Sequence, residues 1–560
     1  MNIQFNLAWF KRGVRLVLTL TAALVFLALV PPDSIVRADT DAVPQNKVPA
    51  AVESAAQSLT NELVRARYQV LRGYFKLYTI DECDVSYAVM RTCFGNNPAA
   101  PYVLPVVPPW HGPIGKSEWV DPATRNAVGV TAPGYSISYR LDPREALVIL
   151  AKMPPPAKYF GIQTYIFTRA GKLYKGSPQY QWIKQYLPYQ LSTFFSLVPR
   201  EPADTPRVQL MANLGDSNNN VVISNQSGSV WNRLRYFIIT PNPATGAEVR
   251  AALVKIGIPA QDIFTEELPR RLGPETFPPP DRDEAALRFG LDRQADDFAT
   301  LIRYAMPADE QKANRWRNRL PMAVLRVRSF NTDIQTYPWT GMEPRAGTNP
   351  PETSYAPDLA TLAQAVCDSW NTGSIQDCTQ WKTFLNLQRD LLLTGPDCVP
   401  ARMNCLAPTE DTTYLASPRL PLDPAHFYAV VGALGTATGN ATYVGMGLNS
   451  SKKQQGIGNL SDAQLAGSAN GYSNTVPADK FFVQYFARDC SVVAAHAPAG
   501  AAFSCYSIQD TLPYCYDTTD PECDMLALTL RDYILPGTQR AADKDTVLSP
   551  KFIRLTIPGQ

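Results

Sequence analysis

The spacing of apolar positions along this chain changes character several times, and each change predicts an element. Between Ser58 and Tyr78, Leu59, Leu63, Val70, Leu71 and Tyr74 recur at roughly helical intervals with Arg65, Arg67 and Arg72 between them. That spacing predicts an amphipathic helix. Further on the pattern turns to β-branched and aromatic runs. Tyr135–Tyr139, Ala146–Leu150 and Tyr159–Phe167 read as strands, with Pro154, Pro155 and Pro156 marking a turn. Tyr236–Thr240 is a further strand, leading into a helix over Ala244–Ile256 that Gly257 and Pro259 terminate. Ile263-Phe264 reads as a short strand, Asp292–Ala305 and Ala308–Asn318 as helices, and Ala323–Val327 as a strand.

Residues 331–360 lose periodicity and fill with Pro, Gly and Thr, which predicts a boundary. A cystine-clipped helical stretch follows over Asp358–Leu393. Beyond it, His426–Gly435 and Ala441–Leu448 flank Thr436-Ala437-Thr438-Gly439-Asn440 and predict a glycine-rich hairpin, with Phe481–Phe486 and Phe552–Ile557 as further strands. The fold class expected is α+β: mixed or antiparallel sheets with flanking helices, a strand-rich C-terminal part and disulfide-clipped loops. With 560 residues the chain exceeds the size at which single cores stop growing. The organisation expected is a leader over 1–38, an N-terminal α+β domain over 39–330, a proline-rich connector with a cystine-clipped helical segment over 331–410, and a strand-rich C-terminal domain over 411–560.

The leader changes the picture most. Lys11, Arg12 and Arg15 precede an apolar run from Leu16 to Val30, and Val36-Arg37-Ala38 follows, the pattern of a secretory signal peptide. The run falls short of the roughly 20 residues that span a bilayer. The mature chain is therefore expected to start near Asp39, to be periplasmic or extracellular, and to keep no stable membrane span. Ten cysteines follow the leader: Cys83, Cys93, Cys367, Cys378, Cys398, Cys405, Cys490, Cys505, Cys515 and Cys523. An even number in an exported chain reads as disulfides. Their close spacing suggests five local clips, each cysteine with its next neighbour, while leaving other connectivities open. There is no Cys-x-x-Cys and the three histidines lie far apart, so neither a metal nor a cofactor is expected. Losing Lys11, Arg12, Arg15, Arg37 and Asp33 with the leader leaves 48 basic against 49 acidic residues. A net charge of about −1 supplies no field for nucleic acid. The 49 prolines point to a loop-rich body.

Candidate chemistry is concentrated in three short segments. A moderately apolar run from Val208 ends in Gly215-Asp216-Ser217-Asn218, a turn of the kind that exposes a nucleophilic serine. Gly347-Thr348-Asn349 could supply an amide to an oxyanion, and Asp423-Pro424-Ala425-His426 places a carboxylate where it can orient a histidine. Taken in this order the three resemble the block pattern of the GDSL (SGNH) esterase and lipase family. The resemblance implies Ser217 as nucleophile, His426 as general base, Asp423 as the group orienting it, and Asn349 with Gly215 or a nearby amide at the oxyanion site. The same Gly-Asp-Ser-Asn-Asn-Asn run also reads as an Asx-rich turn capping its own backbone. A third reading is half of a calcium loop, with Val221 in place of the glycine and Ser227 in place of the closing glutamate.

Paired carboxylates at Glu266-Glu267, Asp296-Asp297 and Glu118/Asp121 raise glycoside hydrolysis, with Asp296-Asp297 expected on the solvated face of a helix. Asp142–Leu147, Pro154–Phe160 and Gly435–Tyr443 together resemble a family of exported bacterial proteins without an assigned activity. Two functions follow as expectations. One is a serine-dependent ester or acyl hydrolase. The other is a non-catalytic extracytoplasmic protein that binds a small-molecule or polymer ligand, its 10% aromatic content lining a groove.

Overall fold

The first long β-strand, Tyr68–Tyr78, has one sheet partner on each side of Gly73 and holds the N-terminal half together. The computed structural model describes residues 47–95, 100–111, 117–120, 122–198, 206–277, 279, 281–348, 350–370, 382–508, 512, 515, 519–520 and 522–557. The leader, Asn349 and Cys378 lie outside them. Tyr68–Gly73 pairs antiparallel with Met322–Ser329, and Tyr74–Tyr78 pairs antiparallel with Tyr102–Val106. A Cβ at Gly73 would stand 2.4 Å from the carbonyl oxygen of Val106 and 2.9 Å from Val324 Cγ1, so the crossing needs a residue without a side chain.

The sheet built on this strand has eleven strands. Its path runs Leu197–Val198, Arg207–Asn213, Ala157–Ala170, Asp297–Pro307, Tyr102–Val106, Tyr68–Tyr78, Met322–Ser329, Glu145–Lys152, Leu234–Thr240 and Ile263–Glu267, with Asn218–Asn219 beside Ala157–Ala170. Helices Ala50–Arg65 and Pro243–Lys255 cover one face with Val52, Ala56, Leu59, Leu63, Val249 and Leu253. They pack on Val148, Ile238 and Leu325, while Leu147, Ile149 and Phe237 point into the core on the opposite face. Strands buried on both faces explain the near-continuous apolar runs read from the sequence.

The C-terminal half is layered. One five-stranded sheet runs Lys382–Thr383, Lys551–Thr556, His426–Ala433, Phe481–Ala487 and Cys505–Ser507; the other runs Leu385–Asn386, Thr412–Ala416, Leu526–Tyr533, Tyr443–Ser450 and Gly456–Ser461. Val430, Phe482, Phe486 and Phe552 of the first pack against Val444, Met446, Leu528 and Leu530 of the second. Helix Ala356–Ser369 covers the outer face of the first sheet with Leu359, Leu362 and Val366. The fold is α+β, with mixed and antiparallel sheets and a strand-rich C-terminal part. Cystines clip its loops at Cys83–Cys93, Cys398–Cys405, Cys490–Cys505 and Cys515–Cys523, each joining neighbouring cysteines. Cys367 is also disulfide-bonded. Among the described residues no helix is long and apolar enough to cross a membrane.

Four local expectations are corrected. The Ser58–Tyr78 segment splits into helix Ala50–Arg65 and strand Tyr68–Tyr78, turning at Arg67 with φ 64°. Tyr135–Tyr139 forms isolated bridges, Ser136 with Val107 and Tyr139 with Phe298, rather than a strand. Asp292–Ala305 is not a helix; Asp297–Pro307 is an eleven-residue strand buried on both faces over most of its length, where period 2 and period 3.6 both fit an apolar run. The expected hairpin is absent as well. His426–Ala433 and Tyr443–Ser450 enter different sheets through helical turn Gly435–Thr438, closed by Gly439 in the left-handed region at φ 91°.

Candidate functional site

The Gly-Asp-Ser turn sits where the large sheet meets the C-terminal half. Arg207–Asn213 delivers it, and Asn218–Asn219 pairs with Gly161 and Ile162. Ser217 is 4% exposed and its hydroxyl donates to Asp411 Oδ2. The same oxygen accepts from the Tyr159 hydroxyl at 2.7 Å, and Oδ1 accepts from Asn219 Nδ2 at 2.8 Å. Burial pushes the Asp411 carboxyl up from its ordinary pKa, and these three donors pull part of the way back. Asp216 pairs with Arg540 at 2.6 Å, while Asn213 donates to Glu410, which Arg345 also holds. Asn219 caps helix Asn220–Ser227, its side chain accepting from the amides of Val221 and Val222. The capping belongs to the Asx-turn reading of this segment. The cluster as a whole ties residues 213–219 to Glu410, Asp411 and Arg540.

The histidines lie elsewhere in the hydrogen-bond pattern. His426 Nδ1 is 2.7 Å from both Asp423 oxygens, so the expected pair forms, and Arg554 approaches Asp423 at 3.3 Å. His426 opens a strand of the outer C-terminal sheet, whereas Ser217 bonds to Asp411. His111 and His496 are exposed. Gly215 takes φ 156°, with its carbonyl accepting from Gln163 Nε2 at 2.6 Å. Ser217 and Gly215 thus share one turn, Asp423 and His426 share another, and no hydrogen bond joins the two sets among the described residues.

Asp296, Asp297 and Glu118 fall in ion pairs of the core, while Asp121 lies outside the described residues. Asp296 and Asp297 are buried, not solvated. Arg169 grips Asp296 with two bonds of 2.8 and 2.7 Å, and Asp297 meets Arg140 at 3.1 Å and Arg207 at 2.9 Å. Arg326 binds Glu118 at 2.5 Å and also Glu145, whose carboxyl burial pushes up to about 7 against the pull of that arginine. Glu266 is buried and Glu267 exposed, as adjacent strand residues must alternate. Burial raises Glu266 to about 7, partly offset by bonds from the Thr164 amide at 2.7 Å and hydroxyl at 2.9 Å.

A cavity of about 180 Å³ lies between the large sheet and the inner C-terminal sheet. Strand alternation builds both walls. On one side Phe298, Ile302 and Tyr304 turn into the core, leaving Arg303 and Ala305 for the cavity; Val208 and Leu210 likewise leave Gln209 and Met211. On the other, Leu526, Leu528 and Leu530 fill the sandwich, and Ala527, Thr529, Arg531 and Tyr533 line the cavity. Phe94, Tyr102, Tyr159, Phe194 and Tyr414 supply aromatic surface. Sequence reasoning missed these residues. The available signal was a lone arginine inside an otherwise apolar strand, Leu301-Ile302-Arg303-Tyr304-Ala305.

No family model matches the chain, and no curated protein matches it. Among solved structures, it is similar to an uncharacterized protein from Burkholderia cenocepacia at 8% identity and a TM-score of 0.33, over 90% of this chain and 96% of that one.

Proposed function

We propose that this is an exported ligand-binding protein that holds a small molecule in the aromatic cavity between its two halves. The observation that carries this reading is the cavity itself: concave, built on strands, lined by tyrosine and phenylalanine rings, with a few polar groups converging on it. The basic-apolar leader and the disulfides support export, since cystines persist in oxidising compartments. Hydrolysis by Ser217 needs a base within reach of its proton, and that hydroxyl is engaged by a buried carboxylate. The test is a thermal-shift screen of small aromatic compounds against the mature chain and an Ala527→Phe variant that fills the cavity. Compounds should raise the melting temperature of the first and not of the second. An Ala527→Phe variant that responds equally overturns the reading.

A serine hydrolase is the second reading: the Asp423–His426 pair it calls for forms, but among the described residues no hydrogen bond joins that pair to Ser217. It calls for labelling by a fluorophosphonate that Ser217→Ala abolishes.

A further inference from the structure

Among the described residues the charged side chains in the cavity wall are of one kind, Arg303 and Arg531. Arg303 is 6% exposed, and its guanidinium donates to the Tyr165 hydroxyl at 2.6 Å and the Ala407 carbonyl at 2.9 Å. It lies 5.4 Å and 5.3 Å from the ring centroids of Tyr102 and Tyr165. Among the described residues no carboxylate pairs with it. Four arginines of the core differ from it. Arg140, Arg169, Arg207 and Arg326, all fully buried, each hold an Asp or Glu. Buried charge is costly unless it is paired, and in these four arginines it is paired.

Arg531 repeats the pattern across the cavity. It is half-buried, and its hydrogen bond among the described residues is a long one, 3.4 Å to the Thr529 carbonyl. The neighbouring strand makes room for it: a Cβ on Gly447 would stand within bonding distance of Arg531 Nη1. Gln209, 2% exposed, turns a side-chain amide into the same wall, and its nitrogen has no hydrogen-bond partner among the described residues. Among the described residues the cavity lining contains no Asp, Glu, Lys or His.

We propose that the cavity selects an organic anion, a carboxylate, sulfonate or phosphate on an apolar or aromatic body. Arg303 and Arg531 bind the charged group and the tyrosine and phenylalanine rings enclose the body. This rests on the ligand-binding reading above and deepens it. Guanidinium groups suit such anions because their donors form a planar fork, and charge-assisted bonds in a partly dehydrated site are the strong ones.

The probes are 2-naphthoate, an anion at neutral pH, and 2-naphthamide, its uncharged isostere, titrated by calorimetry into the mature protein. The naphthoate should bind at one site about tenfold or more tighter than the amide, and its affinity should fall as salt rises. Arg531→Gln, which removes a side chain with one weak bond, should weaken naphthoate by about the same factor and leave the amide unchanged. Arg303→Gln should do likewise where near-ultraviolet circular dichroism shows that it folds. Equal affinity for both probes overturns the anion proposal and leaves the cavity reading standing. Binding of neither, even at millimolar concentration, overturns the cavity reading itself. Binding of naphthoate that Arg531→Gln does not weaken overturns the assignment to this site.

Discussion

Asp411 accepts from Ser217, Tyr159 and Asn219, so the three donors, not a histidine, define what the Gly-Asp-Ser turn does locally. Removing one donor from a buried carboxylate leaves an acceptor unsatisfied, which costs about 1–3 kcal/mol. Ser217→Ala should therefore lower unfolding stability by about that amount in denaturant titration, while naphthoate affinity stays the same. Glu266 makes a second residue-scale prediction. Its carboxyl is held near 7 in the fold against an ordinary value of 4.5, because burial favours the neutral acid. Over that window the folded state binds the extra proton, so stability is greatest below the ordinary value, falls as pH rises through the window, and levels off above about 7. The slope from this one group is at most about 1.4 kcal/mol per pH unit. Glu266→Gln keeps an acceptor for the Thr164 amide and removes the proton, so its stability profile should be flatter between pH 5 and 7 (about the span of the window) than that of the parent.

At the scale of elements, legibility followed locality. Glu145–Lys152, Ala157–Ala170 and Met322–Ser329 were readable because β-branched and aromatic runs bounded by proline or polar residues carry their own signal. The Asp423–His426 pair was readable for the same reason, three residues apart on one turn. Asp297–Pro307 was not, because a strand buried on both faces shows no alternation. The two glycine-flanked strands were read as a hairpin because sequence adjacency cannot reveal that they enter different sheets. Ser217 and Asp411 are 194 positions apart, and no local pattern reports such a contact. Gly73 shows the cost of an element-scale constraint. Its missing Cβ lets Tyr68–Tyr78 cross between partners under the Val106 carbonyl, a backbone atom that cannot rotate away. Gly73→Ala should destabilise by about 1–3 kcal/mol, as overpacking of a closed core does, read as a lower denaturant midpoint with an unchanged slope.

At the scale of the whole molecule, the cavity is shaped by contacts between segments far apart in sequence, and two of the cystines brace its walls. Cys93 stands between the lining residues Thr92 and Phe94, and Cys405 between Asn404 and Leu406. Cys490–Cys505 closes a loop in the outer C-terminal sheet, and none of its residues lines the cavity. Chain entropy gives loops of this length similar worth: about 2.5 kcal/mol for closing Cys398–Cys405 and about 3 kcal/mol for Cys490–Cys505. The two should nevertheless differ in what they do to the ligand. Replacing both Cys398 and Cys405 by alanine should lower stability and also weaken naphthoate binding, because the wall carrying Asn404, Leu406 and the Ala407 carbonyl that receives Arg303 is freed to move. Replacing both Cys490 and Cys505 by alanine should lower stability by a comparable amount with affinity unchanged. Calorimetry beside denaturant titration on the two pairs separates the outcomes. Equal losses of affinity in both would mean that the cystines support the fold as a whole, and that the cavity wall gains no particular rigidity from the bridge next to it.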